Sequence, residues 1–275
     1  MNHFETAYAK INLALHVRRR REDGYHELET LFAFVDDGDR LTAEFAGEDR
    51  ITVSGEFAGA LTDPFDNILA HTLTKFPRGE GWHVHLEKNL PVAAGLGGGS
   101  ADAGALIRMI AEAQSVTPKN DYGSVMQRAA ALGADVPACV WSEMKIGSGT
   151  GTDLAKVRND LKGTPVLLVN PRVPVPTGPI FKAWDGEDRG ALPTGTARQI
   201  ALNGRNDLEA PAISICPPVA DVLSSLRASD PWLVRMSGSG ATCFALYENV
   251  DQRDRAAAIL AEQHPDWWQM SGALR

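Results

Sequence analysis

The chain has 275 residues, 44% hydrophobic and 23% charged, which excludes collagenous and disordered classes and allows one large core or two modest domains. Lys and Arg number 27 against 35 Asp and Glu, and the net charge of −8 argues against nucleic-acid binding, which needs a basic stripe. No apolar run is long enough to span a bilayer and MNHFETAYAK lacks a signal-peptide core, while the 3 dispersed cysteines, Cys139, Cys216 and Cys243, read as buried thiols of a cytoplasmic protein.

Alternation opens the chain. Ala7, Ala9, Ile11, Leu13 and Leu15 share one strand face, which is core, and Tyr8, Lys10 and Asn12 share the other, where a solvated face would serve equally. The basic run from Arg18 to Arg21 reads as a solvated hairpin tip, with a hold on an anionic substrate as the alternative. After Asp23-Gly24 a returning strand is predicted over 27–35, then strands over 41–45, 51–53 and 82–86. Between the last two, Ile68, Leu69, Thr72, Leu73 and Phe76 recur at helical spacing behind Asp66-Asn67, a cap.

Further helices are predicted over 100–114 and 122–132, and the GSGTGT run at 147–152 reads as a hairpin turn. The polar stretch 153–163 marks the boundary between domains 1–157 and 158–275. Beyond it come a strand at 165–169 and a helix starting in 180–184. A helix within 212–227 follows, limited at its start by Pro217-Pro218. Strands at 232–236 and 242–247 are joined by Ser237-Gly238-Ser239-Gly240, and a helix at 251–263 and a strand at 267–270 complete the chain. This β-α-β-β-α-β order is that of a ferredoxin-like unit, with Trp267-Trp268 as core and edge packing.

The most specific stretch is PVAAGLGGGSADAGALIRMI, residues 91–110. Glycines crowd Gly95 to Gly99 and an apolar, helix-compatible run follows Ser100, an arrangement that turns backbone N–H groups around an anion at a helix N-terminus. The anion that fits is a nucleotide phosphate; a flexible surface turn is the alternative. No Lys-Ser or Lys-Thr follows, so this is not a Walker A loop, and Ser100 stands where a dinucleotide loop needs its third glycine. Between this loop and a second small-residue loop, SGSGAT at 237–242, lies ALGADVPACV. Its one charge, Asp135, must be capping, paired or functional, because burying a lone carboxylate is costly.

Together AYAKINL, PVAAGLGGGSA and SGSGAT, in that order, resemble the three motifs of the GHMP kinase superfamily. REDGYHELETLF, LGADVPAC and PTGPIF resemble the branch that phosphorylates the 2-hydroxyl of 4-diphosphocytidyl-2-C-methyl-D-erythritol, on the non-mevalonate route to isoprenoid precursors. The resemblance implies an α+β, two-domain GHMP kinase architecture: an N-terminal mixed α/β nucleotide-binding domain, a ferredoxin-like C-terminal domain and an active site in the cleft. It implies Asp135 as the catalytic base and Lys10 as its partner at the substrate hydroxyl. Lys10 would keep the carboxylate ionised and offset charge on the transferring oxygens.

The resemblance further implies ATP held by Pro91, Val92, Ala93, Ala94, Gly95, Leu96, Gly97, Gly98, Gly99, Ser100 and Ala101, with Asn67 and Lys88 near the nucleoside. It implies a cytosine held by Tyr25, His26 and Phe181, with Asn12, Thr177, Ser237, Gly238, Ser239 and Gly240 completing the substrate side. Mg2+ is expected as the ATP counter-ion, without a carboxylate cluster that names its ligands. Two features depart from the family pattern: Ala101-Asp102 follows the loop where small polar residues are usual, and the arginine run is unusually dense. An acidic Asp102 in a first helical turn would suit the dipole, yet near ATP it could repel phosphate or attract metal. The partners expected are ATP and the cytidine diphosphate-linked alcohol, with no nucleic acid, no membrane, and a monomer or weak homodimer. A mevalonate- or homoserine-type kinase, or a non-catalytic nucleotide-binding module, stand as the rival readings.

Overall fold

The computed structural model describes residues 3–61, 67–114 and 122–275. Its contacts group the chain into two compact units, one of Met1–Ala9, Asp37–Val92 and Gly97–Ser142, the other of Lys10–Asp36, Ala93–Leu96 and Glu143–Arg275. Neither unit is a single run of sequence. Leu15 and Val17 sit in one core with Leu167, Val169, Leu226 and Ala245, so the second unit claims part of the first strand. The division into 1–157 and 158–275 remains a proposal about the family's domains.

The long strands β1 (His3–Arg20) and β2 (His26–Ala46) pair with each other and give residues to both units. In the first unit β4 (Gly81–Glu87) lies antiparallel to Arg40–Ala46 of β2 and parallel to β3 (Arg50–Ser54). Trp82, Val84 and Leu86 alternate into the core, as the period-two reading expects. Four helices complete this unit: α1 (Ile68–Lys75), α2 (Gly98–Ala113), α3 (Tyr122–Ala130) and α4 (Val136–Trp141). The side chain of Asn67 caps α1, accepting from Leu69 N at 2.9 Å; Asp66, named with it as a cap, lies outside the described residues. Helix α2 packs on α1 and α4. Its Gly104 has to be glycine, since a Cβ there would lie 2.7 Å from the Cys139 carbonyl.

In the second unit β5 (Lys145–Ser148) and β6 (Asp153–Lys156) form the hairpin read from GSGTGT, and β5 continues onto Thr30–Phe32 of β2. There follow β7 (Pro165–Asn170), α5 (Thr177–Ala183), α6 (Ala197–Asn203), α7 (Glu209–Ile215) and α8 (Pro218–Arg227). Then come β8 (Leu233–Met236), β9 (Cys243–Leu246), α9 (Val250–Gln263) and β10 (Trp268–Ala273). The sheet order β10-β7-β9-β8, antiparallel throughout, is the ferredoxin-like order the sequence suggested. Leu167, Val169, Cys243 and Ala245 turn one face of it to Val222, Leu226, Ala256 and Leu260 of α8 and α9.

Three expectations need correction. Helix α5 starts at Thr177 and has Trp184 as its C-cap, so 180–184 is its end and not its beginning. Helix α6 was not foreseen, although Thr196-x-x-Gln199 is a capping box whose two reciprocal bonds form. On the second face of β1, where a solvated face would have served equally, Lys10 and Asn12 are buried at 3% and 2% exposure and Tyr8 is half-buried. Among the described residues no helix is long and apolar enough to cross a membrane.

Candidate active site

In the second unit the middle of the glycine loop is docked on backbone. Leu96 O accepts from Lys10 N at 3.0 Å, Ala94 O from Thr242 N at 3.1 Å, and Gly95 O from Ser237 Oγ at 2.9 Å. Gly95 adopts φ +78°, and a Cβ on it would fall 2.2 Å from Ser237 O, so geometry and space both demand glycine. Lys10, Asn12, Gly95, Ser237 and Gly238 therefore come together. Lys10 Nζ donates to Asn12 Oδ1 at 2.9 Å and points at Gly95 O, 3.5 Å away, with its charge 5.8 Å from the Phe32 ring centroid.

The amide of Asn12 is itself oriented. Its Nδ2 donates to Thr30 Oγ1 at 2.7 Å, and that hydroxyl donates onward to Ala14 O at 2.7 Å, which fixes Asn12 Oδ1 as the acceptor for Lys10. Thr30 and Asn206, whose Nδ2 donates to Met236 O and Gly238 O at 2.8 Å each, were missed by the sequence reading. Thr30 lay on an alternating strand and Asn206 in an irregular stretch, and neither pattern marks a polar residue as buried. Ser239 Oγ and Thr177 Oγ1 lie 3.1 Å apart.

In the first unit, Gly97 at φ 61° is the N-cap of α2, so the helix starts at Gly98 and its leading N–H groups have no intrahelical acceptor. Asp102 is thus past the first turn and does not face the helix end, which corrects the dipole reading. It is 2% exposed, with Oδ2 at 2.6 Å from Lys88 Nζ. The same ammonium donates to Asp39 Oδ2 at 2.6 Å, and Asp39 Oδ1 accepts from Asn89 N at 2.6 Å and Leu90 N at 2.8 Å. Lys88, expected beside the nucleoside, is a buried ion-pair partner. Burial works against its charge, but the two carboxylates outweigh burial and raise its pKa. Burial, above all, together with the neighbouring Asp39 charge, pushes Asp102 up to about 8 against the pull of Lys88.

Asp135, half-buried, occupies the N-cap position of α4, yet its side chain makes no capping bond there. The simple capping explanation for this carboxylate therefore fails. Among the described residues no group of three or more His, Cys, Asp or Glu is placed to hold a metal ion.

His26 and Phe181 come together in the second unit, ring centroids 5.0 Å apart, and Trp184 meets His26 edge-on at 5.8 Å. Tyr25 is 65% exposed at the hairpin tip and makes its bonds through backbone, N to Asp23 Oδ1 and O from Arg21 N. Burial, then the Arg20 charge, lowers the His26 pKa, so the imidazole is neutral at pH 7, and its Nε2 has no hydrogen-bond partner among the described residues. The arginine run is internally occupied. Arg18 pairs with Glu29 and Asp188, Arg19 with Glu27 and Arg21 with Asp23, while Arg20 donates to the carbonyls of Lys182 and Trp184.

Residues 65–143 match the family model for the GHMP kinases N terminal domain, and residues 192–266 match that for GHMP kinases C terminal. A 4-diphosphocytidyl-2-C-methyl-D-erythritol kinase of Erythrobacter litoralis is 64% identical over 98% of this chain and 99% of its own. One from Novosphingobium aromaticivorans is 64% identical over 98% and 92%. A crystal structure of 4-(cytidine 5'-diphospho)-2C-methyl-D-erythritol kinase superposes with a TM-score of 0.77 at 32% identity, covering 100% of this chain and 99% of the other. A homoserine kinase from Cytophaga hutchinsonii, at 16% identity and TM-score 0.66, shares the fold. By identity over nearly the whole of both chains, this chain belongs to the 4-diphosphocytidyl-2-C-methyl-D-erythritol kinases of the GHMP kinase family.

Proposed function

We propose that the protein transfers the terminal phosphoryl group of ATP to the 2-hydroxyl of 4-diphosphocytidyl-2-C-methyl-D-erythritol. The observation that carries this reading is the 64% identity over 98% of the chain to kinases of that name. The docked glycine loop supports it: its backbone is held by Lys10, Ser237 and Thr242, and its exit forms the start of a helix, where N–H groups receive phosphate oxygens.

Within this reading Asp135 takes the hydroxyl proton as the oxygen attacks phosphorus, and its side chain is not spent on capping α4. Lys10 offsets the charge that develops on the transferred oxygens, its direction set by Asn12 and, through it, by Thr30. The assignment of both groups to one hydroxyl comes from the family resemblance. A neutral His26 can both donate to and accept from a cytosine edge, with Phe181 beside it as a stacking face. Mg2+ bound with ATP neutralises phosphate charge; the described residues offer no acid cluster for it, and phosphate oxygens and water are its natural ligands.

ADP release with magnesium-ATP, compared across the cytidyl alcohol, mevalonate, homoserine and galactose, tests the reading. Turnover on the cytidyl compound alone is expected; turnover on another alcohol removes the cytosine subsite, and binding of ATP without any turnover removes the kinase. Asp135→Asn is expected to lower kcat by about 10²–10⁴ with ATP still bound, read by the same assay and by nucleotide titration.

A further inference from the structure

In the first unit lies a cluster that the transfer chemistry does not use. Asp39, Lys88 and Asp102 are 0%, 2% and 2% exposed, so two acidic side chains and one ammonium share a site closed to bulk solvent. Lys88 stands three positions before the loop at 91–101 and Asp102 directly follows it. Lys88 Nζ reaches both carboxylates at 2.6 Å, and Asp39 also holds the N–H groups of Asn89 and Leu90, which lead into the loop. The ammonium lies against the first residue of α2, where a Cβ on Gly98 would come within 3.1 Å of it. One cation thus ties the strand before the loop to the helix after it.

We propose that the Asp39–Lys88–Asp102 cluster is the positioning clamp of the nucleotide-phosphate loop, acting on ATP through backbone geometry and not by contact. The proposal rests on the reading of 91–101 as that loop. Its physical basis is the cost of misplacing rigid donors: N–H groups aimed at phosphate lose most of their value when the two ends of their loop drift apart. A fold needing only stability would do as well with apolar side chains here, since buried ion clusters often add little to it. Asp39 accepts three donors, from Lys88, Asn89 and Leu90. Among the described residues Asp102 accepts from Lys88 alone and its Oδ1 meets no hydrogen-bond partner, so Asp102, beside the Asp39 carboxyl group, carries the proton that neutralises the cluster, in line with its raised pKa. Lys88, extending from the end of β4, and Asp39, from β2, are the charged groups that face it.

The test begins with ATP titration of the wild type; absence of binding would remove the loop reading itself. With binding established, Asp102→Ala is expected to raise KM for ATP about tenfold, the effect of losing one hydrogen bond to a charged group. KM for the alcohol should stay within about twofold, as for a site outside the altered contact. Asp102→Asn, which keeps an oxygen for Lys88, should restore the ATP value. A folded Asp102→Ala enzyme with unchanged KM for ATP, or with both KM values raised alike, overturns the clamp. Should that variant fail to fold, the wild type and Asp102→Asn are compared at about pH 7 and about pH 9.5, where ionisation of Asp102 loads the cluster with a second negative charge. A terminal phosphate, with a second pKa of about 6, has finished titrating below that window. KM for ATP should rise with pH in the wild type only; parallel profiles overturn the proposal.

Discussion

Two lysines in this chain are buried to nearly the same degree, Lys10 at 3% exposure and Lys88 at 2%, and their surroundings differ in kind. Within its unit Lys10 donates to an amide oxygen and points at a backbone carbonyl, dipoles that orient its ammonium. Lys88 is held by the carboxyl groups of Asp39 and Asp102, which bind it on both sides in a buried cluster. The same side chain is thus an aimed charge in one place and a structural rivet in the other. Burial alone does not tell two such lysines apart; the groups described around each of them do.

Substitution of each lysine by methionine sharpens this contrast most. Lys88→Met leaves two carboxylates facing each other without a cation and is expected to cost about 3–5 kcal/mol of stability, read by urea unfolding. Lys10→Met removes the ammonium that Asn12 Oδ1 orients and is expected to lower kcat by about 10²–10³ while the unfolding midpoint changes far less. Equal losses of stability in the two variants would erase the distinction.

The pH dependence of stability separates the sites next. The folded pKa of Asp102 is raised to about 8, whereas the unfolded carboxyl titrates near about 3.9. Between those values the folded chain keeps a proton that the unfolded chain has released, so the contribution is whole below about pH 4 and declines up to about pH 8. Asp102→Asn lacks this decline. Its Tm relative to wild type should therefore rise from pH 5 to pH 8, and a constant difference would argue that Asp102 is ionised throughout. The smallest effect concerns aim: Thr30→Val leaves Asn12 Nδ2 without its buried acceptor and should cost about 1–3 kcal/mol, with a loss of kcat that Thr30→Ser recovers.

Much of this was legible in the chain. The period-two runs and the glycine loop mark β1, β4 and the start of α2, because each is a local pattern with a local cause. The order of strands and helices beyond residue 164 was enough to name the ferredoxin-like topology, which the register of β7 through β10 bears out. The capping box at Thr196 was also readable and was passed over. Thr30 and Asn206 were not readable: their hydrogen-bond partners lie in distant segments, and a threonine in a strand looks the same whether it orients an amide or faces water. Lys88 and Asp102 show the same limit, since Asp39 lies 49 positions before Lys88.

By itself the sequence determined most of the element types, the position of the glycine loop at the start of α2, and the family through three ordered motifs, all properties of short contiguous stretches. Only the tertiary structure decided which polar residues are buried and what they face. It put Lys10 against Asn12 and Gly95, turned Lys88 onto Asp39 and Asp102, and left Tyr25 exposed while His26 met Phe181. The reason is that the strength of a charge depends on the medium and the partners around it, and both are set by chain segments that meet only on folding.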